Sequence, residues 1–409
     1  MNIAYCSLLL PEEKKLAERS KERLSGISGH KVTYATIMGI EANLSKPMTV
    51  FNIINTLNYP KFPQLIFKSE KWKHIKDAHD WHIGYINLFG IKYITQAINL
   101  YRKLEKWVKM NNDEKSIICV HHIYLPSMIA AIMVKRKYKD QVTLCLNTGD
   151  VPGKFGLESK SNAIIKDYLI KKVVDENIMK LAKKFDCFVF VTKQMADAFG
   201  VNDKPFTVVE CVYQDEQKDI YVEESLKDEK NKTIFYAGAL REEYGINHLL
   251  RAFSLIDDPN YRLVIAGGGS SESLVEEYAH KDNRIQFLGF ISPKEVRRQQ
   301  QLATVLISPR TSKYEYVKYS FPSKSVDSLA SGKPYIAHKL PCDPPEYGKY
   351  IQYAKDESDE ALAEKIIEIC NLSKEERLNI GQNCKDFILK KKKPEILCKR
   401  VLEMWEKIQ

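Results

Sequence analysis

The stretch 318–334, KYSFPSKSVDSLASGKP, sets an ammonium, a carboxylate and a helix start close together. Pro322 and Ser323 read as the opening of a short helix, with Ser as its cap, and Gly332 with Pro334 as its end. Val326, Leu329 and Ala330 make one apolar face, which leaves Ser323, Lys324 and Asp327 on or near the first turn, pointing elsewhere. Free N–H groups at a helix start, with a lysine beside them, suit a phosphate. A carboxylate one turn on suits a ribose diol. An ordinary capped surface helix is the alternative. Three further loops have related chemistry: GALREEYG (238–245), AGGGS (266–270) and GFISP (289–293). Gly238, Gly268 and Gly289 let backbone approach a ligand closely, although Gly267 to Gly269 also read as plain strand-to-helix turn chemistry. Arg241 and Arg310 add guanidinium groups suited to a diphosphate. Arg241, beside Glu242 and Glu243, also reads as a surface ion pair. Nearer the N-terminus, His121 and His122 follow the apolar run SIICV, and Asp150 sits in TGDVP after VTLCL. Each reads either as a cleft residue or as loop chemistry, an Asx-turn in the case of Asp150.

The elements that must position these residues alternate. NIAYCSLL, the charged EEKKLAERSKERL and KVTYATIM form a first βαβ candidate; SIICVHH, PSMIAAIMVKRKY and QVTLCLNTGD form another. DCFVFVT and PFTVVECV follow. After the polar stretch 213–231 a second series begins: TIFYAGAL, NHLLRAFSLI, YRLVIAGGG, ESLVEEYAH, RIQFLGF, SPKEVRRQQQLA, TVLISPR, the opening helix and KPYIAHK. Short β-rich runs separated by helices predict parallel sheets covered on both faces. The fold class is therefore α/β with two Rossmann-like halves, and the ligand loops fall at strand C-termini. The expected domains are 1–215, 216–385 and a helical end, 386–409, that crosses back to the first domain.

The chain has 409 residues, a formal net charge of +10 and nine scattered cysteines without CxxC or metal-like Cys/His spacing. The cysteines read as small buried hydrophobes in a reducing compartment. No apolar run approaches a membrane span and no signal peptide is evident, so a cytoplasmic protein is expected. The excess charge favours anionic partners, but no nucleic-acid-binding signature accompanies it. Lys171, Lys172, Lys180, Lys183 and Lys184, with the aromatic-basic region between Trp72 and Trp107, read either as solvated surface or as contact with an acidic membrane face. The run of four lysines at 390–393 reads as an exposed helix end.

FYAGAL with YGINHLLRAF, LVIAGGG, IQFLGF, LISPR and YSFPSKSVDSLASGKPYIA resemble the donor-binding half of bacterial retaining glycosyltransferases of the GT-B fold. The resemblance is to glycosyltransferase family 4, of the capsule, exopolysaccharide and O-antigen type. VHHIYLPSMIAA, LNTGDVP and DCFVFVTKQMADAF fit the first half in order. The resemblance implies metal-independent transfer, with retention, from a UDP- or GDP-sugar to a saccharide hydroxyl, often lipid-linked, at the inner face of the plasma membrane. It assigns Arg310, Ser323, Lys324 and Arg241 to the diphosphate, Asp327 to the ribose, and Gly289 and Phe290 to the base. It places His121 or His122 beside the donor sugar or the diphosphate. The family's first acid falls on Tyr319 here, with Glu315 as a substitute, and Ala239 and Tyr244 stand where relatives carry Arg and Lys. The rival readings are a nicotinamide-dependent oxidoreductase, weakened by the incomplete G-x-G-x-x-G spacing of AGGGSSES, and a non-catalytic nucleotide-binding relative marked by Tyr319.

Overall fold

The computed structural model describes residues 1–9, 27–154, 165–213 and 231–409. The charged stretch 12–24 and nearly all of the polar stretch 213–231 lie outside them, as do the side chains of Lys171 and Lys172. The chain divides into two compact units, one of residues 1–212 with 394–409 and one of residues 213–393.

The first unit is built on an eight-stranded sheet. Its strands are β1 (Asn2–Ser7), β2 (Thr49–Asn52), β4 (Glu70–Trp72), β5 (Asp80–His82), β7 (Ser116–His121), β8 (Val142–Thr148), β9 (Cys187–Phe190) and β10 (Phe206–Val208). Two short strands, β3 (Ile66–Phe67) and β6 (Tyr85–Ile86), pair separately. The sheet order is β10-β9-β8-β7-β1-β2-β5-β4, parallel except for β4 on β5. β1 and β7 are buried along their whole length, as continuous apolar runs covered on both faces must be. The strand order reverses between β1 and β7, so Ser7 and His121 end at the switch point.

One expected strand is absent. KVTYATIM lies inside a helix, Ile27–Glu41, and β2 takes the place beside β1. Its β-branched residues suggested a strand. The buried set Thr33, Ala35, Thr36, Ile37 and Ile40 instead follows a helical stripe, and the C-terminal segment closes on it: a Cβ at Gly39 would meet the Pro394 carbonyl at 2.5 Å. The helices Pro394–Leu397 and Lys399–Ile408 carry Leu397, Val401, Leu402 and Trp405 into the core of this unit. The lysine run at 390–393 is not wholly exposed. Lys392 is 1% exposed, donates to Glu346 at 3.0 Å and lies over the rings of Tyr347 and Phe387.

The second unit holds β11 (Lys232–Ala237), β12 (Tyr261–Ala266), β13 (Ile285–Phe287), β14 (Val305–Ser308), β15 (Tyr335–Ala337) and β16 (Gln352–Tyr353). All pair in parallel in the order β13-β12-β11-β14-β15-β16. That is a doubly wound order with its switch point between β11 and β14. The nine cysteines are buried and free. No described helix is long and apolar enough to cross a membrane.

Candidate active site

The switch point of the second unit gathers the loops after β11, β12, β13 and β14 by backbone bonds. Gly238 donates to Ala266 (2.9 Å), Leu240 to Gly268 (3.0 Å) and Gly267 to Gly289 (2.8 Å). Gly267 has φ +139°, and a Cβ there would overlap the Gly238 carbonyl oxygen. Gly245 has φ +83°, and a Cβ there would overlap the Pro309 carbonyl oxygen. Only glycine permits these approaches, so these two positions bring the β11 loop against both neighbouring loops.

The helix of the opening motif spans Ser323–Ala330. Val326, Leu329 and Ala330 are buried, and Gly332 at φ +76° follows its end. The cap differs from expectation: Pro322 occupies the N-cap position, Ser323 is the first helical residue, and no side chain caps the helix. The N-terminus is therefore open to an anion, with Ser323, Lys324 and Asp327 all on the exposed side. Lys324 is exposed along its stem, yet its ammonium donates to the Ala237 carbonyl at 2.9 Å, beside Gly238. Desolvation lowers its pKa from the ordinary lysine value, and the Asp327 carboxylate opposes that shift.

Arg310 is 6% exposed. Its Nη1 donates to the Ser320 carbonyl at 3.3 Å, while Nε and Nη2 are buried without a partner. The guanidinium lies 4.7 Å from the centre of the Tyr316 ring and 5.7 Å from that of Tyr244. Asp343 is near enough to feel Arg310, but its Oδ2 accepts from Leu340 N and Tyr353 Oη, each at 2.9 Å. A buried guanidinium with two unpartnered nitrogens is costly unless something anionic completes it.

Other expected residues fall differently. Arg241 pairs with Glu243 at 3.4 Å on the surface. Glu315 is exposed at the start of a 3-10 turn ending at Tyr319. Gly289, at φ +61°, borders open space, and Phe290 is 91% exposed. A Cβ at Gly268 would lie 3.5 Å from the Glu272 carboxylate.

In the first unit His121 and His122 stand at the C-terminal end of β7, their ring centres 4.3 Å apart. His121 Nδ1 shares a hydrogen bond with Tyr5 Oη, which also accepts from Asn147 Nδ2 at 3.2 Å. Burial, and secondly His122, hold the His121 pKa well below its ordinary value, so this ring is neutral. His122 has φ +66°, a conformation most non-glycine residues avoid, and its Nε2 bonds Thr33 Oγ1 at 2.9 Å. Desolvation lowers its pKa, and Asp150 opposes that. Asp150 is exposed. The Thr148 hydroxyl, not the Asp150 carboxylate, makes the local turn: it accepts from Asp150 N and donates to Asp150 O, each at 3.1 Å.

Sequence reasoning did not single out Tyr5, Thr33, Asn147, Tyr316 or Asp343. Their types carry no signal of their own, and only the fold sets them beside the histidines or Arg310. Among the described residues, no three His, Cys, Asp or Glu side chains are grouped as metal ligands.

Three solved structures share this fold. Sucrose-phosphate synthase from Thermosynechococcus elongatus superposes with a TM-score of 0.63 at 13% identity, covering 100% of this chain and 99% of that one. Anabaena HepE in complex with UDP gives 0.61 at 13%, covering 100% of both. The lipopolysaccharide outer core galactosyltransferase WaaB in its apo form also gives 0.61 at 13%, with 100% of both covered. The fold is GT-B. Residues 217–387, within which all the loops of the second switch point fall, match the family described as Glycosyl transferases group 1. No curated protein matches the sequence.

Proposed function

We propose that this protein is a retaining glycosyltransferase of the capsule, exopolysaccharide or O-antigen type in glycosyltransferase family 4. In this reading it moves a sugar from a UDP- or GDP-sugar to a hydroxyl of a saccharide, lipid-linked in the pathway it serves. The observation that carries the reading is Arg310: a buried guanidinium whose Nε and Nη2 have no hydrogen-bond partner, at the switch point of the matched unit. Two similar structures, of HepE, hold UDP alone and UDP with glucose.

In this mechanism the donor diphosphate lies between Arg310, the open helix start at Ser323 and the Lys324 ammonium. Asp327 takes the ribose diol, and Phe290 with the Gly289 backbone takes the base. The acceptor oxygen forms its bond to the anomeric carbon on the leaving group's own face. The bond from that carbon to the diphosphate oxygen breaks, and the departing phosphate takes the acceptor's proton. The clamp stabilises the charge that grows on the leaving diphosphate, which is where such groups accelerate transfer. No protein nucleophile and no metal is required. For the first unit this reading assigns His121 or His122 to the donor sugar and Asp150 to the acceptor.

A thermal-shift screen against UDP, GDP, ADP, CMP and NAD tests this. Stabilisation by one nucleoside diphosphate, followed by sugar release from its nucleotide sugar, is the expected result. Stabilisation by NAD alone would replace the reading with an oxidoreductase. Nucleotide binding without turnover of any donor would replace it with a non-catalytic relative.

A further inference from the structure

The first unit contains a second cleft, of about 900 Å³, that no step above uses. It opens at the N-terminal ends of β1, β2 and β5 and is flanked by the last turns of the helix Ile91–Met110. That is the sheet edge opposite to His121, away from the strand ends where α/β folds usually bind ligands. Three of the chain's four tryptophans line it: Trp72, Trp81 and Trp107. Five lysines line it too, against a single carboxylate, Asp80. That carboxylate is spent inside the fold. Its Oδ1 accepts from Val50 N at 2.7 Å, and its Oδ2 bonds the His74 backbone and ring at 2.7 and 2.8 Å.

The lysines converge from different elements. Lys71 on β4 stands opposite Trp81 in the ladder, with its ammonium 5.7 Å from the ring centre. Lys103, from the helix, places its ammonium 3.1 Å from the same ring centre, one helical turn from Lys106. Among the described residues none of Lys71, Lys103 and Lys106 has a carboxylate within ion-pair distance. Desolvation, then Lys106 and Lys71, lower the pKa of Lys103. Complementing the helix dipole explains basic residues in the last turn such as Lys109. It does not explain Lys71, which comes from a strand. Like charges held together around indole rings, without a counter-ion, lower stability unless an anion completes them.

We propose that this cleft is a second binding site, for an oligosaccharide carrying acidic groups. The lysines take its carboxylates or phosphates, and the indole and methionine surfaces at Trp72, Trp107 and Met110 take the apolar faces of its sugar rings. The size suits a ligand of a few rings. The proposal does not depend on the donor site, because it concerns the opposite edge of the other unit's sheet.

The test is a titration of the full chain with hyaluronan tetrasaccharide and with glucose 6-phosphate, followed by tryptophan emission, with nucleotide-induced thermal shift recorded in parallel. Trp405 is fully buried in the core, so a change reports on the cleft. A saturable change with at least one acidic probe is expected. The double variant Lys71→Ala/Lys103→Ala should raise its dissociation constant at least tenfold, with circular dichroism and the nucleotide shift unchanged. Silence from both probes, or unchanged binding in the variant, overturns the proposal. Equal binding of uncharged maltotetraose overturns the role of the lysines. Equal binding of inorganic phosphate overturns the role of the sugar.

Discussion

Replacing Arg310 by methionine separates a ligand-seeking guanidinium from a structural one. In the free protein the change removes one charged hydrogen bond, to Ser320 O, worth roughly 1.5 kcal/mol, and two cation–π contacts of about 0.5–1 kcal/mol each. It also removes two buried donors that have no partner, each costing about 1–3 kcal/mol. The two sets of terms overlap, so the free variant should be destabilised by no more than about 1.5 kcal/mol. A buried arginine in a satisfied ion pair would cost about 3–5 kcal/mol instead. Binding should respond the other way. Two charge-assisted bonds to a diphosphate contribute at least about 3 kcal/mol, and their loss weakens binding by roughly two orders of magnitude. Urea unfolding of the free protein and calorimetric titration with the best-stabilising nucleoside diphosphate measure the two numbers. A large loss of stability with unchanged nucleotide affinity would show Arg310 to be a strut behind Tyr244 and Tyr316, and the clamp reading would fall.

Lys324→Ala should weaken nucleoside-diphosphate binding by about 1.5–3 kcal/mol while costing the free protein no more than about 1.5 kcal/mol, through its lost bond to the Ala237 carbonyl, read by calorimetry and urea unfolding. Because desolvation lowers the Lys324 pKa, diphosphate affinity in the parent should decline with rising pH before an ordinary lysine would titrate, and this limb should vanish in Lys324→Ala. Gly267→Ala forces a Cβ onto the Gly238 carbonyl and should cost about 1–3 kcal/mol, lowering the melting temperature by roughly 2–4 °C per kcal/mol. In the first unit, burial opposes protonation of His74, but its hydrogen bonds to Asp80 and Glu41 outweigh it and push its pKa up to about 9. A raised folded pKa stabilises fully below the unfolded value near 6.5 and is lost as pH rises through about 9. Unfolding free energy should therefore drop by about 3 kcal/mol across that window, and His74→Gln should flatten the drop.

Much of the fold was legible because strands buried on both faces must be continuous apolar runs. SIICVH and YRLVIA announce themselves, and Pro322 and Gly332 punctuate the short helix between them and the C-terminus. KVTYATIM failed for the converse reason. Its β-branched residues favour a strand locally, and what holds it helical is the approach of Pro394 to Gly39, from the far end of the chain. Short strands such as β4 and β5 carry too few residues for any period to show. The glycines of the second switch point were readable as close approaches, but which backbone each meets was not. Lys392 shows the same limit: a run of four lysines looks solvated until Tyr347 and Phe387 turn out to lie under one of them.

The departure at Tyr244 shows how local substitution and distant packing combine. The resemblance leads one to expect a lysine there, and its loss alone suggests a weakened clamp. In the structure the Tyr244 ring is one of two that border the Arg310 guanidinium, brought close by the glycine at 245 against Pro309. An aromatic ring in that position borders the cation of the β14 loop. On the diphosphate-clamp reading, Tyr244→Lys would not add a useful contact. It would set an ammonium against the buried Arg310, and like-charge repulsion should lower both stability and nucleotide affinity. A variant that bound nucleoside diphosphate more tightly than the parent would refute that account, because the two cations would then be serving the ligand independently.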